Sequence, residues 1–264
     1  DRIRGDKAEN LEAAIEGYQQ ALQVRTRQAM PVEWAQTMMN LANAYSDRIR
    51  GDKAENIKAA IEGYQQALQV MTRQAMPADY VRAARGLGRV LFDQVRYSES
   101  LTHMQAVLST VEELYEAAPT PTSRQSLLQE LGDTPHRLAF ALCRTDGADG
   151  SRQAVAVLEQ NRARWLREVL EMSSARPANL PAALWSEFQT RAQRVRELQA
   201  EVQLPDHTPG RRTFLALSAL LAAARADLSA AVDAIRSVAP DFLPKPTFAQ
   251  IQSAAQDAPL IYLL

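Results

Sequence analysis

Residues 47–77 read DRIRGDKAENIKAAIEGYQQALQVMTRQAMP, and residues 1–31 repeat that stretch with three exceptions, Leu11/Ile57, Glu12/Lys58 and Arg25/Met71. Near-identity at a fixed offset inside one chain marks an array of like structural units. Asp1 aligns with Asp47, a period of 46 residues. Within the unit, Ile57, Ala60, Ile61, Tyr64, Ala67, Leu68 and Met71 recur at steps of three and four. That spacing draws one apolar stripe down a helix, and Asn56 stands where an N-cap is expected. Trp34, Met38, Leu41, Ala42 and Tyr45 carry the same spacing in a preceding helix. The intervening RIRGDKAEN is polar with one glycine and reads as a connector, and Pro77 is a stop signal after the second helix. Alanines at 42, 60 and 67 let the paired helices approach closely. The first copy has no counterpart of Val32–Ser46, which predicts further units upstream.

Working outward, 264 residues predict two domains or one extended array at about 150 residues per domain. An apolar share of 46% with 23% charged residues excludes a disordered chain. Thirty basic against thirty-one acidic side chains leave a net charge of −1, which gives no support to polyanion binding by the chain as a whole. Cys143 stands alone, so no internal disulfide forms, and no CxxC or CxxH cluster offers a metal site. No cofactor is expected. The charged start lacks the apolar core of a signal peptide. The longest apolar run, Phe214–Ala224, covers about 11 residues where a bilayer span needs about 20. These features predict a soluble, cytoplasmic, helix-rich chain with neither membrane nor nucleic acid as partner.

Further along, Ala84, Leu87, Gly88 and Leu91, followed by Tyr97, Ser100, Met104 and Val107, predict a third unit. A more degenerate helix pair is predicted from Pro135 to Met172 around the turn TDGADG. Leu184, Phe188, Arg191, Val195, Leu198 and Val202 mark another helix, and Phe214, Leu217, Leu221, Leu228, Val232 and Ile235 a longer one. The connector LPDHTPG between them predicts an antiparallel hairpin, with Arg194, Arg196, Arg225 and Arg236 on its exposed faces. At the end, Thr247 and Gln250 form a capping-box pattern opening a short helix to about Gln256. Leu260-Ile261-Tyr262-Leu263-Leu264 then has the length and apolarity of a strand. A lone apolar strand needs a sheet to join, so the chain is expected to stop where another domain begins. The predicted organisation is all-α: repeats over 1–116, a degenerate pair over 117–176, a hairpin over 181–240, and over 241–264 a lead-in helix and first strand.

Met38, Leu41, Ala42, Tyr45, Ala60, Tyr64, Ala67 and Pro77 resemble the tetratricopeptide-repeat pattern, W-x2-L-G-x2-Y, A-x3-F-x2-A and a later proline. Met38 replaces the tryptophan, Ala42 the glycine, and the period is 46 rather than 34. The order of parts resembles bacterial proteins joining such repeats to a CHAT domain, a caspase-like cysteine-protease fold. Four segments carry that likeness: the RGDKAEN…AIEGYQQAL units, LEQNRARWLREVLE, the arginine-rich hairpin, and PTFAQIQSAAQDAPLIYLL. The resemblance implies a histidine and a cysteine in a later domain, beyond Leu264, as the cleaving pair. It also implies that the first helix of each unit lines a concave face.

No catalytic residue is expected in this chain. His136 and Cys143 would lie two turns apart, about 10.5 Å of rise, too far for the roughly 3 Å a nucleophile needs from its base. Cys143 reads as a core residue and DGADG as a turn. The candidate protein-binding residues are Gln36, Met39 and Asn43 in one inner helix and Arg82, Arg85 and Arg89 in the next. The arginines share one helix face, and a guanidinium offers a planar fork of donors for carboxylates. An acidic protein or peptide, or the missing domain of the same chain, is the expected partner. The competing reading is a solvated face screened by nearby acids. The expected function is a non-catalytic binding arm that scaffolds or regulates a caspase-like domain, the alternative being a structural self-assembly module that forms homo-oligomers.

Overall fold

The structure, a computed structural model, describes residues 6–117, 121–171, 180–202, 204–205 and 208–239, with Phe242 and Gln252. Among the described residues there are ten α-helices and no strand. They are α1 (Lys7–Val24), α2 (Pro31–Ser46), α3 (Lys53–Leu68), α4 (Pro77–Asp93), α5 (Tyr97–Ala117), α6 (Pro121–Leu131), α7 (Thr134–Thr145), α8 (Gly147–Glu171), α9 (Ala182–Val202) and α10 (Phe214–Val238). The predicted lead-in helix and the apolar strand Leu260–Leu264 lie outside the described residues.

The duplicated stretches fold alike, because their local signals are the same. Asp6 and Asp52 cap α1 and α3, each accepting a first-turn backbone N–H, from Ala8 at 3.1 Å and from Glu55 at 3.0 Å. After each helix a threonine hydroxyl, Thr26 or Thr72, accepts the N–H three residues on at 3.2 Å. Pro31 and Pro77 then open the next helix at the position where a missing N–H costs nothing. This corrects the expectation for Asn56. The cap is Asp52, one turn earlier, and Asn56 is buried in the first turn of α3, donating to the Arg50 carbonyl at 2.8 Å. The polar, charged first turn concealed the start of the helix.

Successive helices pack as antiparallel neighbours, α1 on α2, α2 on α3, α3 on α4 and α4 on α5, and the series continues with α5 on α7 and α7 on α8. Across this stack α2 touches α4 and α4 touches α7. These three therefore form one row along one side, as in a solenoid of helix pairs. Helix α6 was not expected from the pattern, since Leu127, Leu128 and Leu131 are its only large apolar residues. It packs beside α5 and α8. The turn between α7 and α8 is also shorter than TDGADG suggested. Asp146 alone separates the helices, Gly147 adopts φ +55°, and Gly150 lies so close to the Leu142 carbonyl that a Cβ would sit 2.1 Å from it.

The hairpin forms as expected. Arg191 donates to the Asp227 carbonyl at 2.6 Å and Arg212 grips Glu201 near the turn, an antiparallel register. That grip holds the Glu201 carboxyl down at about 2. By length and composition α10 could cross a bilayer, with a mean hydropathy of 1.6 over its most apolar window. The alanine-rich continuation past Phe214–Ala224 makes it longer than the uninterrupted run implied. Here its buried residues, Leu217, Leu221, Ala224, Leu228, Val232 and Ile235, share one core with α9 and with the repeats.

Arg225 is the second correction. It is not on an exposed face: its side chain is only 13% accessible, and it donates to the Arg73 carbonyl at 3.0 Å while facing Glu113 at 3.5 Å. Burial lowers its pKa to about 10. The residue ties the hairpin to the α3–α4 connector and to α5, a contact that helical periodicity within α10 could not reveal.

Candidate protein-binding groove

Helix α4 divides its residues by face. Val81, Ala83, Ala84, Leu87, Val90 and Leu91 are buried in the stack, which leaves Arg82, Arg85 and Arg89 toward the open side of the α2–α4–α7 row. With α2 and α7 they line a cleft of about 410 Å³, to which α2 contributes Met39, Asn40 and Asn43 and α7 contributes Thr134 and Arg137. Five of the six residues singled out from sequence thus converge. Gln36 is half-buried and is not part of the wall. Met39 is mostly core, 6% exposed. Asn43 accepts a hydrogen bond from the Tyr64 hydroxyl at 2.5 Å, and burial pushes the Tyr64 phenol up to about 12.

Each arginine of the stripe is held by the protein itself. Arg82 pairs with the buried carboxylate of Asp79. Arg85 donates to the Glu130 carbonyl and faces its carboxylate at 3.7 Å. Arg89 donates to the Ser46 hydroxyl at 3.2 Å and lies 3.6 Å from Asp47. The stripe thus lines the cleft and is paired with acids of the chain itself. A guanidinium has five N–H donors, and these contacts take up one or two from each, so donors remain for a ligand.

Sequence reasoning missed Arg137. It bridges Asp93 at 2.6 Å and Asp133 at 2.5 Å, stacks over Phe92, and adds a fourth arginine to the wall. Arg137 precedes Leu138 and sits one turn before the buried Ala141, so spacing within α7 does not mark it as facing a cleft. Arg82 and Arg85 also border a second, larger chamber of about 820 Å³, between α4, α5, α6 and α9. Its walls are mostly apolar, and Arg196 of α9 and Glu130 add charge. Arg82 and Arg85 thus line both spaces.

Elsewhere the chemistry is sparse. His136 and Cys143 both lie on α7, two turns apart, and Cys143 is half-buried against the cluster of Met104, Leu138 and Leu142. Burial lowers the pKa of His103. Among the described residues no three His, Cys, Asp or Glu side chains gather as a metal site.

The family model of the tetratricopeptide repeat matches residues 34–70, which cover α2 from Trp34 through α3. Residues 34–70 thus resemble a tetratricopeptide repeat. Such repeats generally mediate protein–protein interaction and are typically non-catalytic. No curated protein and no solved structure matches the chain. The repeat and its neighbours build the helical solenoid that side-chain spacing predicted.

Proposed function

We propose that this chain is a protein-binding arm whose α2–α4–α7 groove receives an acidic segment of a partner. One observation supports this above the rest. Five arginines, at 82, 85, 89, 137 and 196, line the two clefts against two lining carboxylates, Glu130 and Asp133, while Asp47, Asp79 and Asp93 pair with the arginines from outside the lining. Clustering of one sign inside a concave surface attracts and orients the opposite charge. Asn40 and Asn43 supply neutral hydrogen-bonding groups on the facing helix.

Within this reading the arm serves a bacterial cytoplasmic protein of the repeat–CHAT type and positions or restrains a caspase-like domain that follows it. The order of repeats, LEQNRARWLREVLE helix and hairpin supports that assignment, as does the docking of the hairpin onto the repeats through Arg225. Sequencing the open frame beyond Leu264 tests it, and a frame without a later histidine and cysteine in a caspase-like domain removes it.

The groove itself is tested with an end-blocked, fluorescein-labelled peptide of alternating serine and glutamate. Arg85→Gln with Arg89→Gln is the suitable double variant, since charge reversal would set like charges against Glu130 and Asp47. Fluorescence anisotropy should show binding weakened by about tenfold, as for loss of charge-assisted hydrogen bonds. Unchanged affinity in a folded double variant would refute the groove.

A further inference from the structure

The chamber beside the arginine row has a property that the row lacks. Arg82, Arg85, Arg89 and Arg137 each have an acid of the same molecule close by. Arg196, which borders the chamber from the hairpin, has no ion pair among the described residues: its Nη2 donates to Gln193, and its Nη1 is buried with no hydrogen-bond partner among them. A buried guanidinium N–H without an acceptor is costly, so it marks a place where an acceptor is missing. The chamber's walls are mostly apolar, with Met76, Pro77, Leu114, Leu127 and Val202 among them, beside the polar Gln129, Glu130 and Gln199. The space, about 820 Å³, exceeds what one side chain fills.

We propose that this chamber is a specificity pocket for the bound segment, taking a bulky apolar side chain whose neighbouring carboxylate is captured by Arg196. The inference rests on the groove reading and names its partner class: a peptide in which acidic residues alternate with large apolar ones. Charge complementarity selects the acid. Three arginines border the chamber against the single carboxylate of Glu130, which Arg85 already engages. The apolar walls select the anchor, because an apolar side chain there leaves water for a surface of its own kind. Recognition is then shared between two parts of the chain, with α4 fixing the acidic backbone of the partner's message and α9 reading its apolar anchor. Because α9 belongs to the hairpin, the pocket exists only while the hairpin is docked on the repeats.

Two end-blocked, fluorescein-labelled peptides test this on the full chain, one alternating leucine with glutamate and one alternating serine with glutamate. The leucine peptide should bind at least about tenfold more tightly. Ala200→Trp places an indole in the chamber from an exposed position of α9, and it should abolish that preference while leaving the serine peptide unaffected. Arg196→Gln should weaken the leucine peptide about tenfold without lowering the melting temperature. Equal affinity of the two peptides, or a preference surviving both substitutions, overturns the chamber and leaves the groove standing. Loss of the preference in both chamber variants, with Arg85→Gln and Arg89→Gln silent, does the reverse. Tight binding of dodecanoate without any preference for the leucine peptide also overturns the proposal, assigning the space to a small amphiphile.

Discussion

Residues 7–24 and 53–68 are two nearly identical helices in different surroundings. α1 packs on α2, whereas α3 lies between α2 and α4. Tyr64 is fully buried and bonded to Asn43, while its twin Tyr18 is half-exposed. Val70 is 6% exposed and Val24 is 73% exposed. Space around the glycines differs in the same way: a Cβ on Gly63 would meet Ala42 Cβ at 3.0 Å, and one on Gly17 would meet nothing within 4 Å. Gly86 completes the Tyr64 pocket, since any side chain there would strike the ring at 2.6 Å. Equal sequence thus yields equal helices and unequal burial. Position in the stack decides which face becomes core.

That contrast can be broken most directly at the tyrosines. Tyr64→Ala should cost about 3–5 kcal/mol, the range for emptying a buried aromatic site, and Tyr18→Ala about 1 kcal/mol. Urea denaturation of the two variants compares them on one scale, and equal losses would mean that the copies share one environment after all. The glycine pair tests the sign. Gly17→Ala should stabilise by about 0.5–1 kcal/mol through helix propensity alone, whereas Gly63→Ala should destabilise by about 1 kcal/mol as the new methyl crowds Ala42. Matching signs in thermal melts would show that the Gly63 contact yields freely. The caps provide the control in which the copies should agree. Asp6→Ala and Asp52→Ala should each lose about 1 kcal/mol, because each carboxylate serves its own first turn. Circular dichroism of the two variants should show matched losses of helicity, and a loss confined to one copy would make capping a tertiary effect here.

The helices were legible in the chain because the signals that build them are local and periodic. The stripe through Ile57, Ala60, Ile61 and Tyr64 and the prolines at 31 and 77 act within one or two turns. Asn56 was misassigned for the same reason: two good caps, Asp52 and Asn56, stood one turn apart, and only the Arg50 carbonyl waiting for Asn56 separates them. α6 went unseen because three leucines make too short a stripe. In the groove, α4 was readable since its arginines share one face of one helix. Arg137 and Arg196 were not, because they reach the two clefts from helices distant in the chain, and Asp47 and Glu130 became partners only through the fold.

Spacing of apolar residues, caps and stops sufficed to specify an all-helical stack of paired units and the arginine face of α4, since each depends on residues within about a turn of one another. Which copy is buried, how Arg225 ties the hairpin to the repeats, and the chamber between α4 and α9 arise from contacts between residues far apart in sequence. Burial and pairing depend on what stands opposite a side chain, and that is settled only when the helices have packed.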